Sequence, residues 1–400
     1  MKVENERGED VEVKGVCYDV GRVMMGENWR PRFDQKTVER ELEIIKNDLH
    51  ANAVRICGLD INRLASAAEA ALSMGMDVWL SPEMWDQAQI ETLQYLVEAA
   101  KSAEKLRAKW GDHIVFSVGS ELTLFMQGII EGNNVFERMN SPSFMETIKS
   151  GRHNLILNKF LESVVLQVKE HFHGPLAYFS VPIERVQWEN FDFVGVDLYR
   201  DERIKDRFGE LIRSYLSHGK PLIIGETGCC TYQGAEKLGG TGFIISFGIM
   251  TDYFDEKIEP PQGMAEMLSL AKKIDGHYVR DEALQAREVV EQLDIFNAEG
   301  ATGAFVFTFV SQNSPYNSDP RHDLDMASYS LVKSYPEKEN MEEFITQAIK
   351  QGKALAGVEL TREDILGFLG EIGKHGSTYP DMPWEPKESF RSVAKFFLEH

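Results

Sequence analysis

The chain has 400 residues, a hydrophobic fraction of 43% and a formal net charge of −21. That composition supplies a large core and excludes a chain disordered throughout. So acidic a surface repels phosphate backbones, no Lys/Arg run offsets it, and no apolar stretch approaches the roughly 20 residues that span a bilayer, so neither a nucleic acid nor a membrane is expected as a partner.

The first residues, MKVENERGEDVEV, are polar and contain no apolar leader. The four cysteines, Cys17, Cys57, Cys229 and Cys230, form no CxxC pair, and vicinal Cys229–Cys230 are too close for a relaxed disulfide. Both features point to a cytoplasmic protein with reduced thiols. Short apolar segments, several rich in β-branched residues, recur at 13–18, 51–56, 77–80, 113–119, 176–180, 191–196, 221–225 and 302–307. They are nearly continuous in apolar residues rather than alternating, as strands of a parallel sheet buried on both faces are. Amphipathic stretches lie between them, at 37–49, 62–73, 90–109 and 281–297 among others. Strand and helix alternating eight times predicts a (β/α)8 barrel. An open doubly wound sheet is disfavoured, because no GxGxxG follows the first strand.

Uneven spacing locates the insertions. The connection after the fourth strand is long, and that after the seventh runs to about 75 residues, far beyond ordinary loops. The latter, over about 231–280, holds Gly234, Gly239, Gly240 and Gly242 and then Pro260–Pro261. Two further helices are expected at 338–356 and 361–373, as a helical insertion over about 338–376. A proline-rich connection then leads to a last amphipathic helix at 387–398, taken as the barrel's eighth. No repeat or flexible linker interrupts the chain, so one domain over 1–400 is expected.

Barrel enzymes carry their chemistry at the carboxyl ends of the strands. The fourth strand runs into Gly119-Ser120-Glu121 and the seventh into Gly225-Glu226-Thr227. Each places a glutamate behind small residues, where a charge is costly to bury and rarely serves structure alone. Two such carboxylates across one mouth suit glycosidic chemistry, one donating a proton and the other attacking the anomeric carbon. Arg55 is a natural partner for Glu226, favouring its ionised form.

Glutamates that close strands 4 and 7 of a barrel resemble those of the clan A glycoside hydrolases, the retaining "4/7" superfamily. Val54-Arg55-Ile56 is similar to that group's strand-2 arginine segment, Phe193–Tyr199 to its strand-6 segment, and Trp384–Phe390 to its linker into the last helix. The resemblance implies Glu121 as acid/base and Glu226 as nucleophile, supported by Arg55, Tyr199 and Ser120. It implies a β-linked glycoside as substrate, cleaved with retention and without a cofactor. Two positions depart from it. Ser120 stands where the group has an asparagine that bonds the sugar 2-hydroxyl, and Phe307-Thr308-Phe309 where strand 8 ends in tryptophan.

Trp85, beyond strand 3, is a candidate to stack on a sugar face, with Glu83 and Asp86 beside it. Tyr18 at strand 1, with Asp19, and Tyr232 beyond Cys230 are further candidates for substrate contact by position. Cys229 and Cys230 have no neighbouring base and are expected to be inert buried thiols. His171-Phe172-His173 precedes strand 5, at the end of the barrel away from the chemistry, and is expected at the surface. Two rival functions remain open. One is a metal-dependent hydrolase built on His322, Asp323 and Asp325, although no complete ligand set is evident there. The other is a glycosidase-like barrel, of a kind sometimes labelled for abortive infection, that binds a carbohydrate or a protein without turnover.

Overall fold

The structure is a computed structural model that describes residues 13–246, 274, 276–336, 361–362 and 372–400. Eight parallel strands close into a barrel: β1 Val13–Asp19, β2 Ala53–Gly58, β3 Asp77–Pro82, β4 Ile114–Ser120, β5 Leu176–Ser180, β6 Val194–Asp197, β7 Leu222–Thr227 and β8 Gly303–Val306. Each neighbours the next, and β8 returns to β1 through the pair Val13↔Gly303. Outer helices are α1 Gln35–Asn47, α2 Ile61–Ser73, α3 Gln89–Trp110, α4 Arg152–Val168, α5 Phe208–Leu216, α6 Glu282–Glu299 and α7 Glu388–Glu399. Their starts follow ordinary capping chemistry: Asp34, Asp60 and Asp281 accept the first free backbone N–H groups of α1, α2 and α6.

This is the (β/α)8 barrel expected, short of one helix. Strand and helix do not alternate eight times, because β5 and β6 are joined by a single 3-10 turn, Trp188–Asn190, and no helix. In place of a helix, buried Trp188 and Phe191 pack against each other there. The expected eighth helix is α7, lying against α6. The helical insertion over about 338–376 falls almost wholly outside the described residues, as does most of 231–280. Among the described residues no helix is long and apolar enough to cross a membrane.

Side chains of a strand alternate between the barrel's interior and the helix layer. In β1, Val13 and Cys17 point inward with Ala53, Trp79, Val115, Ala177, Phe179, Ile223 and Phe305. Val16 and Tyr18 point outward with the helix-facing core. The interior is a packed aromatic plug: Trp79 meets Phe193, Phe305 and Phe179 at ring-centroid distances of 4.7, 5.6 and 6.0 Å. This plug is the floor on which the polar groups at the strand ends rest.

Beyond β8 the chain is held by buried charge. The Lys387 ammonium lies 2.9 Å from Asp325, both side chains fully inaccessible, and also donates to Thr231 and Ser330. Arg280 reaches Asp325 at 2.8 Å and Asp323 at 3.0 Å. Asp325 therefore keeps a cationic partner when Lys387 is lost, so Lys387→Met is expected to destabilise by about 3 kcal/mol, the lower end for a broken buried pair. Chemical denaturation reads it; an unchanged midpoint would show the pair to be energetically idle.

Candidate active site

Five strand ends and one loop build the site. Parity places Arg55 and Cys57 of β2 and Ser81 of β3 inward, above the aromatic plug, and Arg55 lies on the face of Phe179, 3.9 Å from the ring centroid. Three ladder irregularities then re-aim the strand ends. The register slips between Ser117 and Ser120 on the β4–β5 side, between Val196 and Asp197 on the β6–β7 side, and between Ala304 and Val306 on the β7–β8 side. Such bulges recur next to active sites because they redirect a side chain. Asp197 thereby becomes the cross-strand partner of Glu226.

Glu226 is held by three groups. The Arg22 guanidinium lies 2.9 Å from Oε1, that of Arg55 lies 3.5 Å from the same oxygen, and the Tyr199 hydroxyl donates to Oε2 at 3.0 Å. Asp197 is held as firmly: Arg55 donates to Oδ1 at 2.9 Å and Ser120 to Oδ2 at 2.6 Å. Glu121 differs. Its backbone sits in the left-handed region at φ 50°, uncommon for a residue with a side chain, between β4 and the one-turn helix Leu122–Phe125. Its amide donates to Phe179 O at 2.8 Å. Tyr178 and Glu184 fix the turn that follows, accepting from the amides of Leu122 and Thr123. One oxygen each of Glu121, Asp197 and Glu226 lie within 4.8 Å of one another.

The electrostatics separate these carboxyls. Burial pushes the Glu121 carboxyl well above the usual carboxylate range, and the like charges of Asp197, Glu226 and Glu184 push it further. Burial raises Asp197 to about 7 against the pull of Arg55. Three carboxylates so close can share a small cation or share protons. Arg22 and Arg55 offset two of the negative charges gathered there.

The expected site residues sort as follows. Glu121, Glu226, Arg55, Ser120 and Tyr199 come together. Arg55, expected on Glu226, makes its closer contact with Asp197, and Ser120 donates to Asp197 as well. Trp85 stands at the mouth, stacked on Phe125 at 4.4 Å and in a T-shaped contact with Trp29 at 5.4 Å. Glu83 belongs to the site, 2.7 Å from Arg22, whereas Asp86 turns away to Arg138. Tyr18 is a correction: as an even residue of β1 it points out of the barrel, fully buried, and its hydroxyl donates to Glu41 of α1. Tyr232 is another: it is buried against Tyr278 and donates to Gly242 O, apart from the carboxylates. Asp323 and Asp325 are engaged by Arg280 and Lys387 in the ion-pair network beyond β8, which occupies two of the three residues of the metal alternative. Cys229 and Cys230 are buried, their thiols raised by desolvation and so unreactive. Exposed His173 pairs with Glu104 at the far end.

Sequence reasoning missed Arg22, Asp197 and Trp29. Asp197 directly follows the apolar Val194-Gly195-Val196, the same cue that marked the two glutamates. Arg22 and Trp29 lie in the β1–α1 loop, where no periodic pattern fixes direction. Arg22 is 3% exposed and lies 5.8 and 5.9 Å from the Trp85 and Trp29 rings.

Gly225 makes room for this arrangement. A β-carbon there would lie 2.1 Å from the Phe179 ring and 2.5 Å from Asp197 Oδ1. Gly225→Ala is therefore expected to destabilise by about 2–3 kcal/mol through overpacking. Thermal unfolding reads it, and a melting temperature equal to wild type would show that the space is not tight.

No family model matches the chain, and no curated protein matches it. Solved structures do. A GH113 β-1,4-mannanase aligns at 13% identity over 80% of this chain and 94% of its own, with a TM-score of 0.50. The GH113 β-mannanase AaManA from Alicyclobacillus acidocaldarius, in complex with ManMIm, aligns at 12% identity over 97% of each chain, TM-score 0.48. β-Glucuronidase 2 from Bacteroides uniformis, covalently bound to cyclophellitol-6-carboxylate aziridine, aligns at 13% identity over 82% of this chain and 34% of its own, TM-score 0.48. At such identity the likeness is one of fold: a barrel similar to those of glycoside hydrolases.

Proposed function

We propose that this chain is a retaining glycoside hydrolase that cleaves, or transfers, a β-linked glycoside, with Glu226 as nucleophile and Glu121 as acid/base. The observation that carries the reading is the unequal treatment of two neighbouring carboxyls. Arg22, Arg55 and Tyr199 all address Glu226, while Glu121 lies within 4.8 Å of it among other carboxylates and shifts toward its protonated form. Environments that push two carboxyls apart assign their roles. Oxygens this close suit attack on one anomeric carbon rather than a water held between wider-spaced groups.

The steps follow from these positions. Protonated Glu121 gives its proton to the glycosidic oxygen as Glu226 attacks the anomeric carbon from the opposite side, forming a glycosyl ester. Glu121, now ionised, takes a proton from water, which displaces Glu226. Tyr199 and the two arginines keep Glu226 oriented and receive its charge when it leaves. Trp85 and Trp29 flank the mouth as aromatic walls for a sugar. The chemistry needs no cofactor.

The test is a panel of aryl β-glycosides followed by proton NMR of the first sugar released. The β-anomer is expected; the α-anomer would overturn retention. A second reading, a barrel that binds carbohydrate without turnover, is favoured by two observations: Ser120 is tied to Asp197, and Phe307 stands where the resemblance implies a tryptophan. Silence across the panel with sugar binding by calorimetry would choose it.

A further inference from the structure

We propose that Asp197 is a positioning residue that keeps Glu121 a proton donor, by setting beside it a third carboxyl that Arg55 and Ser120 fix in place and whose negative charge opposes an ionised Glu121. The inference deepens the proposed function and rests on its assignment of Glu121.

Arg55 and Ser120 donate to Asp197 at 2.9 and 2.6 Å, and Arg22 and Tyr199 to Glu226 at 2.9 and 3.0 Å. Among the described residues the strong donors of the cluster thus serve Asp197, Glu226 and, through Arg22, Glu83, and protons bind most readily to the carboxyl left without one. The charged and titratable groups facing Glu121 are Asp197 of β6, Glu226 of β7, Glu184 beyond β5, Tyr178 of β5 and Arg55 of β2. After burial, Asp197 is the largest influence raising the Glu121 carboxyl, ahead of Glu226. Nucleophile and acid in a two-carboxylate site must do this for each other, and when Glu226 is esterified its charge is gone. Asp197 forms no ester and stays beside Glu121, bound to Arg55 and Ser120, through that step. Its place is built: Gly225 has no side chain where a β-carbon would lie 2.5 Å from Asp197 Oδ1.

The measurement is a carboxyl-carbon NMR titration of glutamate-labelled protein, the Glu121 signal being assigned by its loss in Glu121→Gln. In Asp197→Asn the Glu121 midpoint is expected to fall by about 1 pH unit or more. Asp197→Glu, which keeps the charge, is expected to hold it near the wild-type value. Ser120→Ala removes the donor to Asp197 Oδ2 and lets Asp197 take the proton more readily, so Glu121 falls there too, by less. The high-pH limb of kcat/KM moves in step. A Glu121 midpoint unchanged or raised in Asp197→Asn overturns the inference. If that variant does not fold, an unchanged midpoint in Ser120→Ala does so. The titration needs no turnover: a fall in Glu121 without glycoside hydrolysis defeats the proposed reaction alone, whereas hydrolysis with a fixed midpoint defeats this inference alone.

Discussion

Glu226→Gln is expected to lower kcat on any glycoside the wild type cleaves by about 10,000-fold, ~5.4 kcal/mol of barrier, the scale on which loss of a covalent nucleophile is felt. The amide keeps the size of the carboxyl and can still accept from Tyr199, so the change isolates charge and nucleophilicity. Stability is expected to fall little. Arg22 keeps Glu83 at 2.7 Å and Arg55 keeps Asp197 at 2.9 Å, so neither guanidinium is left buried without a counter-charge. Glu226→Ala sharpens the result. Azide, a small anion, fits the space vacated beside Arg22 and Tyr199 and attacks the anomeric carbon from the nucleophile's side. Turnover of an activated aryl glycoside is then restored as a glycosyl azide of inverted configuration, identified by NMR. A Glu226→Gln variant within threefold of wild type would sink the assignment.

The barrel was legible because its signal is collective. Eight apolar runs at barrel spacing survive errors of one or two residues at each end, and β5, read as 176–180, is Leu176–Ser180 in the structure. The two glutamates were legible for a local reason, since an ionisable residue just past a buried run has nowhere to point but the mouth. The same rule applied to β6 marks Asp197, which was passed over because the tyrosine beyond it drew the resemblance. Tyr18 failed for an equally plain cause: with Cys17 inward, a period of two sends Tyr18 outward, and position at a strand end does not override parity. The missing helix between β5 and β6 was implicit in the short spacing. Arg22 and Trp29 were not legible, because a loop's direction is set by tertiary contacts such as the Glu83 and Glu226 carboxylates, which lie far away in sequence.

Glu121→Gln is expected to split substrates by leaving group. An aryl glycoside whose phenolate departs without help needs no proton, so its kcat/KM is expected to change little, while kcat falls because the glutamine cannot deprotonate water in the second step. An alkyl glycoside needs the proton, and its kcat/KM is expected to fall about 1,000-fold, within the usual contribution of a general acid. The pH dependence carries the sign. Glu121 works as an acid while protonated; burial and then Asp197 hold it well above the usual carboxylate range, so wild-type kcat/KM for the alkyl glycoside declines only as pH rises through that raised value. In the variant that decline is absent. Stability moves the opposite way. A carboxyl with a raised folded value binds its proton more tightly when folded, so its contribution is intact below its unfolded value and lost as pH climbs toward the folded one. The melting temperature of Glu121→Gln should therefore gain on wild type at pH 8 relative to pH 4. Loss of the leaving-group discrimination, or a gap in melting temperature that does not change with pH, would remove Glu121 from the acid's role. An ionised Glu121 among three carboxylates is a strain that folding tolerates, and the reaction uses the proton that relieves it.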